Sequence, residues 1–264
     1  MKKRDKKIYL GAIILLLLIW GLLMVNMEAD VSSVGAGTPN LKHLFGWRIP
    51  LNGINLSTIL NTWLVMAIMV LVAYSGKRRF KKIPNRFQAA LEGIIEAFDE
   101  LCRETLGNKL GKKYVPFIAT VFLFVLISNV IGIIPIKGLE EPTRDLNTTL
   151  GLGLICAFVA HGSGIKVKGW KKYLAGYIEP GGVIGWVMLP INIVGEISKV
   201  GSHSIRLFGN ILGGAVLIMV IAILTRQLLI FNVGLQLFFG LFVGLVQAFV
   251  FAILALAYIS VKVT

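Results

Sequence analysis

Long apolar runs separated by short basic loops set the plan of this chain. Apolar residues dominate 8–27, 57–75, 114–136, 146–165, 183–224 and 228–261. About 20 such residues cross a ~30 Å hydrocarbon core as an upright helix, and the first four runs fit that length. The last two are too long for it and predict helices that are tilted, kinked or re-entrant, with Pro190 as the candidate kink. Alternation of period two is absent from the runs, so the fold class is an all-α polytopic helical membrane protein rather than a barrel.

A different pattern fills 84–107. Pro84 opens it, and Phe87, Leu91, Ile94, Ile95, Phe98 and Leu101 recur at helical spacing. Glu92, Glu96, Asp99, Glu100 and Arg103 take the other faces. This predicts an amphipathic helix lying on the cytoplasmic surface. The whole chain, 1–264, then reads as a single membrane domain of six hydrophobic helices and one surface helix.

The charges orient the bundle. Lys77, Arg78, Arg79, Lys81 and Lys82 follow the second run, Lys109, Lys112 and Lys113 precede the third, and Lys166, Lys168, Lys171 and Lys172 follow the fourth. Lys262 closes the last. Basic loops stay inside, so both termini are expected in the cytoplasm. The linker 28–56, the loop carrying Asp145 and Asn147, and the turn Thr225-Arg226-Gln227 are expected outside. The start MKKRDKK followed by 8–27 could be a cleaved signal, but the run exceeds the usual core of about 7–15 residues, which favours a retained helix. Glu179-Pro180-Gly181-Gly182 is a break before the long pair.

Composition removes rivals. The net charge is +14, yet only 15% of residues are charged, against about 25% in soluble domains. The excess of Lys and Arg lies in loops between apolar runs, so no nucleic acid is implied and the lipid bilayer is the partner surface. Cys102 and Cys156 are isolated, with no disulfide or metal-ligand spacing. Phosphate-loop and HExxH patterns are missing, and no cofactor follows. Asn129, inside an apolar run, reads as a helix–helix hydrogen bond. His161 reads as interfacial.

One stretch resists the apolar plan. Between Pro190 and Gly214 stand Glu196, Lys199, Ser202, His203, Ser204, Arg206 and Asn210. An arginine at mid-membrane costs at least ~2.5–3.5 kcal/mol on insertion scales. Lys199, Ser202, Arg206, Gly209, Asn210 and Gly213 share one helical face. Gln236, Gly240, Gly244 and Gln247 do the same in the last run. Gly209/Gly213 and Gly240/Gly244 have the spacing that lets another backbone come close. They could simply pack the hairpin on itself, but that leaves Arg206 unexplained. Glu196 is ten residues earlier, about 15 Å along a helix. The counter-ion of Arg206 is therefore expected from another subunit.

RLFGN at Arg206 to Asn210, preceded by Leu189-Pro190 and Ser202, resembles subunit a of the membrane sector of bacterial F-type ATP synthases. So do VQAF at Val246 to Phe249, SNVIGIIP at Ser128 to Pro135, PTRDLNTTLGL at Pro142 to Leu152, YIEP before the hairpin, and Pro84, Gln88 and Glu92. The likeness runs from about His43 onward. It implies a non-catalytic, ion-translocating stator subunit in the bacterial inner membrane. Its partners would be a ring of c subunits, peripheral-stalk b subunits and, through the stalks, the catalytic head. Two half-channels would pass H+ or Na+ to and from the ring carboxylates. Arg206 would be the essential counter-charge and separator, with Asn210 and Gln247 beside it. Glu196, Lys199 and Ser202 would lie by the cytoplasmic half-channel, where His203 either tunes the path or packs. Asp145 and Asn147 would lie near the outer entry, and Gln236 would hold water along the outer path. Gly209, Gly213, Gly240 and Gly244 would face the ring. Some relatives have a glutamate nine residues after the arginine and a histidine or acid seven before the glutamine. Here those positions are Ala215 and Gly240, and nothing after His203 is Asp, Glu or His. The rival is an autonomous ion channel or secondary transporter using Arg206 at its site. That class should carry inverted repeats, which the chain lacks.

Overall fold

The computed structural model describes residues 56–79, 86–134, 139–177, 182–224 and 229–263. The expected helix 8–27, the linker after it, the break at 179–181 and the turn at 225–227 lie outside the described residues. So do Lys81, Lys82 and Pro84. The described residues form helices and no strands, and the all-α polytopic class holds. Five of the helices are long and apolar enough to cross a membrane.

Helix α1, Leu56–Arg79, touches the bundle along one narrow line at Asn61 and Val65. Leu60, Trp63, Val70 and Leu71 are each more than 60% exposed. In water such a surface would aggregate; against acyl chains it is solvated.

Helix α2, Arg86–Ile131, contains two arms joined at Gly107, whose φ of 77° and ψ of 164° no helix interior adopts. A residue with a Cβ is strained at that φ. The first arm is the amphipathic segment. It folds back on the second arm, where a Cβ on Gly111 would come within 2.6 Å of the Cys102 carbonyl oxygen. Phe98 and Cys102 are buried in the core, with the Phe98 ring 5.0 Å from Phe122 and 6.3 Å from Phe249. Apolar area at the end of the arm is thus removed from the interface by protein. Phe87 and Ile95 nearer its start stay exposed. The second arm becomes the third expected span, but helix ends at Ile131 rather than near 136.

Helix α3, Leu146–Lys168, starts on Asp145, whose side chain accepts from the Asn147 backbone N–H at 2.9 Å. It ends at Gly169, φ 80°, with Lys166 and Lys168 in its last turn, where cations suit the helix dipole. A short helix α4, Trp170–Ala175, follows.

Helix α5, Gly182–Leu224, runs 43 residues straight through Pro190. At ~1.5 Å per residue it is roughly twice the ~30 Å core. The final run is less regular than expected. It comprises α6, Leu229–Gln236, a π-helical stretch, Leu237–Val243, and α7, Gly244–Val263. Ala248, Ala252 and Ala255 are fully buried on α7, and these small residues admit α2 and α3 closely. Ile118, Phe122 and Val125 of α2, Cys156 and Ala160 of α3, and Leu207 and Ile211 of α5 complete one core around α7.

Candidate functional site

Helix α5 has two unlike faces. Leu207, Phe208, Ile211 and Ile218 are buried. Ser204 is also buried, returning its hydroxyl to the Val200 carbonyl at 2.9 Å. Its Oγ lies where a Cβ of Gly153 on α3 would stand, so these small residues set the α3–α5 approach. The opposite face carries Lys199, Ser202, Arg206, Gly209, Asn210 and Gly213, all exposed. A Cβ built on Gly209 or Gly213 would meet nothing within 4 Å. Ile205, Leu217 and Val220, flanking this face, are 59%, 42% and 46% exposed. The described part of the chain places nothing over it.

Arg206 stands in the middle. Among the described residues the acidic groups in ion pairs are Asp99, with Arg103, and Glu196, with Lys199, Lys262 and His161. None of these pairs includes Arg206. Beside it opens a cavity of about 420 Å³ whose wall includes Lys199, Ser202, His203, Arg206 and Tyr258, closed behind by Gly153 and Cys156 of α3. His203 points inward. Its ring meets Phe251 edge-on at 3.8 Å, and Nε2 is buried without a hydrogen-bond partner.

The last run corrects one expectation. The α-helical spacing places Gly240 and Gly244, like Gly209 and Gly213, on an outward, partner-facing surface. They instead face the chain itself: a Cβ on Gly240 would collide with Ile133, and one on Gly244 would lie 3.0 Å from the Asn129 Cβ. Asn129 donates to the Gly244 carbonyl at 3.0 Å and accepts from Thr143 Oγ1 at 2.7 Å, the helix–helix bond expected of it. The physical reason is the π-helical stretch. Each i→i+5 turn holds one residue more than an α turn, so positions within and after Leu237–Val243 rotate away from the face that α spacing assigns them. Gln236 and Gln247 are half-buried on either side of it.

At the lysine-rich end the structure assembles a cluster that spacing did not reveal. Glu196 accepts from Lys262 at 2.8 Å, from Lys199 at 3.0 Å, and from the Tyr258 hydroxyl. Tyr258 also meets His161 Nε2 at 3.0 Å, and His161 Nδ1 meets the Tyr173 hydroxyl. Tyr173 is 3.2 Å from Tyr177, which accepts from Lys262 at 2.8 Å. His161 is therefore more than interfacial. Lys262, read only as the end of a span, is 8% exposed. Tyr258 and Lys262 are one helical turn apart, and that spacing was the available signal. Burial, first of all, with the neighbouring Tyr177 adding to it, pushes the Tyr173 phenol well above its ordinary range, so it remains a donor.

At the other end of α3, Asp145 is committed to capping the helix, and the Asn147 side chain is exposed. Glu141, just before it, lies where a Cβ of Gly132 would collide with its carboxylate. Burial raises its pKa, partly offset by Arg144 and by its own backbone N–H, while Glu140 adds to the rise. Among the described residues no group of three or more His, Cys, Asp or Glu side chains comes together as a metal site.

The sequence is similar to proteins of known name. The matching family model is described as ATP synthase A chain and covers residues 59–260. A protein named ATP synthase subunit a, sodium ion specific, from Propionigenium modestum is 36% identical over 216 residues, 77% of this chain and 72% of its own. ATP synthase subunit a 1 of Crocosphaera subtropica is 41% identical over 211 residues, 78% of this chain and 87% of its own. ATP synthase subunit a of Desulforamulus reducens is 34% identical over 243 residues, 90% and 89% of the two chains. The matched span takes in the outward face of α5, the cavity beside Arg206 and the Glu196 cluster up to Tyr258. The chain belongs to the ATP synthase A chain family.

Proposed function

We propose that this chain is the ion-translocating stator subunit of a rotary ATP synthase in a bacterial inner membrane. The observation that carries the reading is Arg206. It lies on a face that the described chain leaves open, lined by glycines with nothing over them, and it has no carboxylate partner there. A membrane-depth cation of this kind is stable only when something outside supplies the charge. A ring of c subunits, each with one membrane carboxylate, fits the glycine face and supplies it.

On this reading the chain performs no ATP chemistry. An ion enters through an outer half-channel, binds a ring carboxylate, travels round with the ring and leaves through an inner half-channel to the cytoplasm. The cavity beside Arg206 is also lined by Lys199 and Tyr258, which the Glu196 cluster at the lysine-rich end shares, and this supports placing the inner path there. Arg206 keeps the carboxylate facing it ionised, since an opposite charge nearby lowers a carboxylate pKa by about 1–3 units. It also bars direct passage between the half-channels, because a fixed cation repels a passing one. Asn210 and Gln247 hold water near it, Gln236 does so further out, and Asp145 and Asn147 border the outer entry. The b subunits hold the chain still, and ring rotation drives the catalytic head. The ion is H+ or Na+; initial rates of ATP hydrolysis by the complex with and without Na+ separate the two.

Arg206→Ala in membrane vesicles should abolish ion-driven ATP synthesis while the complex still assembles. Coupled synthesis that persists in the variant refutes the assignment.

A further inference from the structure

The Glu196 cluster is a closed circuit of side chains, and its two unambiguous members set its direction. An ammonium only donates, and a carboxylate held by two lysines only accepts. Tyr258 gives its single hydrogen to Glu196, so at 3.0 Å it accepts from His161 Nε2–H. A neutral imidazole with hydrogen on Nε2 accepts at Nδ1, and Tyr173 is the donor there. Tyr173 then accepts from Tyr177 at 3.2 Å, and Tyr177 accepts from Lys262 at 2.8 Å. Each hydroxyl donates once and accepts once. The circuit draws on four elements: Glu196 on α5, Tyr258 and Lys262 on α7, His161 on α3, and Tyr173 on α4 with Tyr177 just beyond it. The other charged group facing it is Lys199.

Tyr258 is shared: its hydroxyl belongs to the circuit, and the residue also walls the cavity that contains Arg206. Tyr177, beyond Tyr173 on the far side of His161, is half-buried. One end thus borders the cavity beside Arg206 and the other is partly open.

We propose that His161 is the proton-relay residue of the inner half-channel, joining Glu196 and the Arg206 cavity to the cytoplasmic water through Tyr258 on one side and Tyr173–Tyr177 on the other. This rests on the functional reading above. A proton bound from water at Tyr177 displaces a hydroxyl proton onto Tyr173. The Tyr173 proton passes to His161 Nδ1, the Nε2 proton to Tyr258, and the Tyr258 proton to Glu196. Every intermediate group gains one proton and loses one, and Glu196 ends protonated. Release to the cytoplasm runs the same bonds backwards, with the hydroxyls turned and hydrogen on Nδ1.

The test measures passive proton flux through the membrane sector in vesicles stripped of the head, at a set membrane potential, against cytoplasmic-side pH. His161→Ala should lower flux about tenfold, below the ~10²–10⁴ of a positioned acid–base group because water bridges part of the gap. Added imidazole should restore it. His161→Gln, which keeps hydrogen bonding but does not titrate, should conduct as poorly as alanine and lose the bend in the pH profile. Wild-type flux in His161→Gln, or a loss in His161→Ala that imidazole leaves unchanged, overturns the relay and leaves a brace. Flux carried by Na+ and indifferent to His161→Ala also overturns it. Arg206→Ala, measured in parallel with the head attached, reports separately on the functional reading: if coupled synthesis survives there, that reading fails whatever His161 does.

Discussion

Gly209 and Gly213 separate folding from docking more cleanly than any charged residue. Within the described chain a Cβ at either position meets nothing within 4 Å, so leucine there adds no steric conflict to the subunit itself. Replacing a helix-interior glycine also gains up to ~0.8–1 kcal/mol of helix propensity, since leucine lies close to alanine on that scale. Gly209→Leu and Gly213→Leu should therefore leave the detergent-purified subunit at least as thermostable as the parent. In the assembled complex the same side chains enter whatever faces α5. A closely packed interface that must absorb extra methylenes loses about 1–3 kcal/mol or more per site, and a rotor surface must absorb them at every step of rotation. The double variant should lose most ion-driven ATP synthesis and most inhibitor-sensitive hydrolysis. Thermal unfolding of the subunit and ATP synthesis in inverted vesicles make the pair of measurements. If both leucines leave synthesis at the parental rate, nothing packs closely on this face and the rotor assignment is wrong. If instead the isolated subunit unfolds early, the face is not open and the geometry is wrong.

Gly111→Val should act in the opposite sense, because its Cβ would stand 2.6 Å from the Cys102 carbonyl oxygen, a backbone atom that cannot turn aside; the subunit should lose several degrees of Tm, or fail to accumulate in the membrane. Lys262→Met removes 2.8 Å bonds to both Glu196 and Tyr177 but leaves Lys199 on Glu196 at 3.0 Å, so the loss should be at least about 1.5–3 kcal/mol, the scale for one bond to a charged group, read as a fall in denaturation midpoint. Glu141 gives a pH dependence. Its folded pKa is raised, first by burial, so the folded loop binds this proton more tightly than the unfolded chain does. The folded state is therefore favoured below the raised value and penalised as pH rises through it. Glu141→Gln should raise Tm at neutral pH, and the gain should vanish as pH falls to the ordinary glutamate range near ~4.3; a gain independent of pH would contradict the burial.

What was legible in the chain follows from how each feature is encoded. Span positions are written in composition, because lipid demands about 20 apolar residues wherever a helix crosses; the helices that carry the apolar runs start at Leu56, Leu146 and Gly182 for α1, α3 and α5. Arg206 was legible for the same reason, as a charge that lipid would not accept alone. The glycine faces were only half legible. On α5 the 3.6-residue period holds without interruption, and Lys199, Ser202, Arg206, Gly209, Asn210 and Gly213 do share an exposed face. On the last run the same arithmetic fails at Leu237–Val243, where the helix widens and turns Gly240 and Gly244 inward against Ile133 and Asn129. No residue type announces a π turn, so periodicity could not have located it.

The cluster around Glu196 was illegible for a different reason. Its members come from four elements, up to 101 positions apart between His161 and Lys262, and each has an ordinary surface explanation when read alone: a lysine closing a span, an interfacial histidine, tyrosines at a membrane boundary. Only their convergence on one carboxylate distinguishes them. That convergence also bears on an asymmetry the sequence does carry. After His203 the chain has no acidic or histidine residue, so α6 and α7 carry amides, tyrosine and lysine but no carboxylate or imidazole. The titrating groups of the cluster therefore collect on α3, α4, α5 and the lysine-rich end of α7. Under the proposed function, such a chain would concentrate its own acid–base control at the inner mouth and rely on water among amides on the outer side. Substitutions that add or remove a titrating group should accordingly reshape the cytoplasmic pH dependence of flux more than the external one.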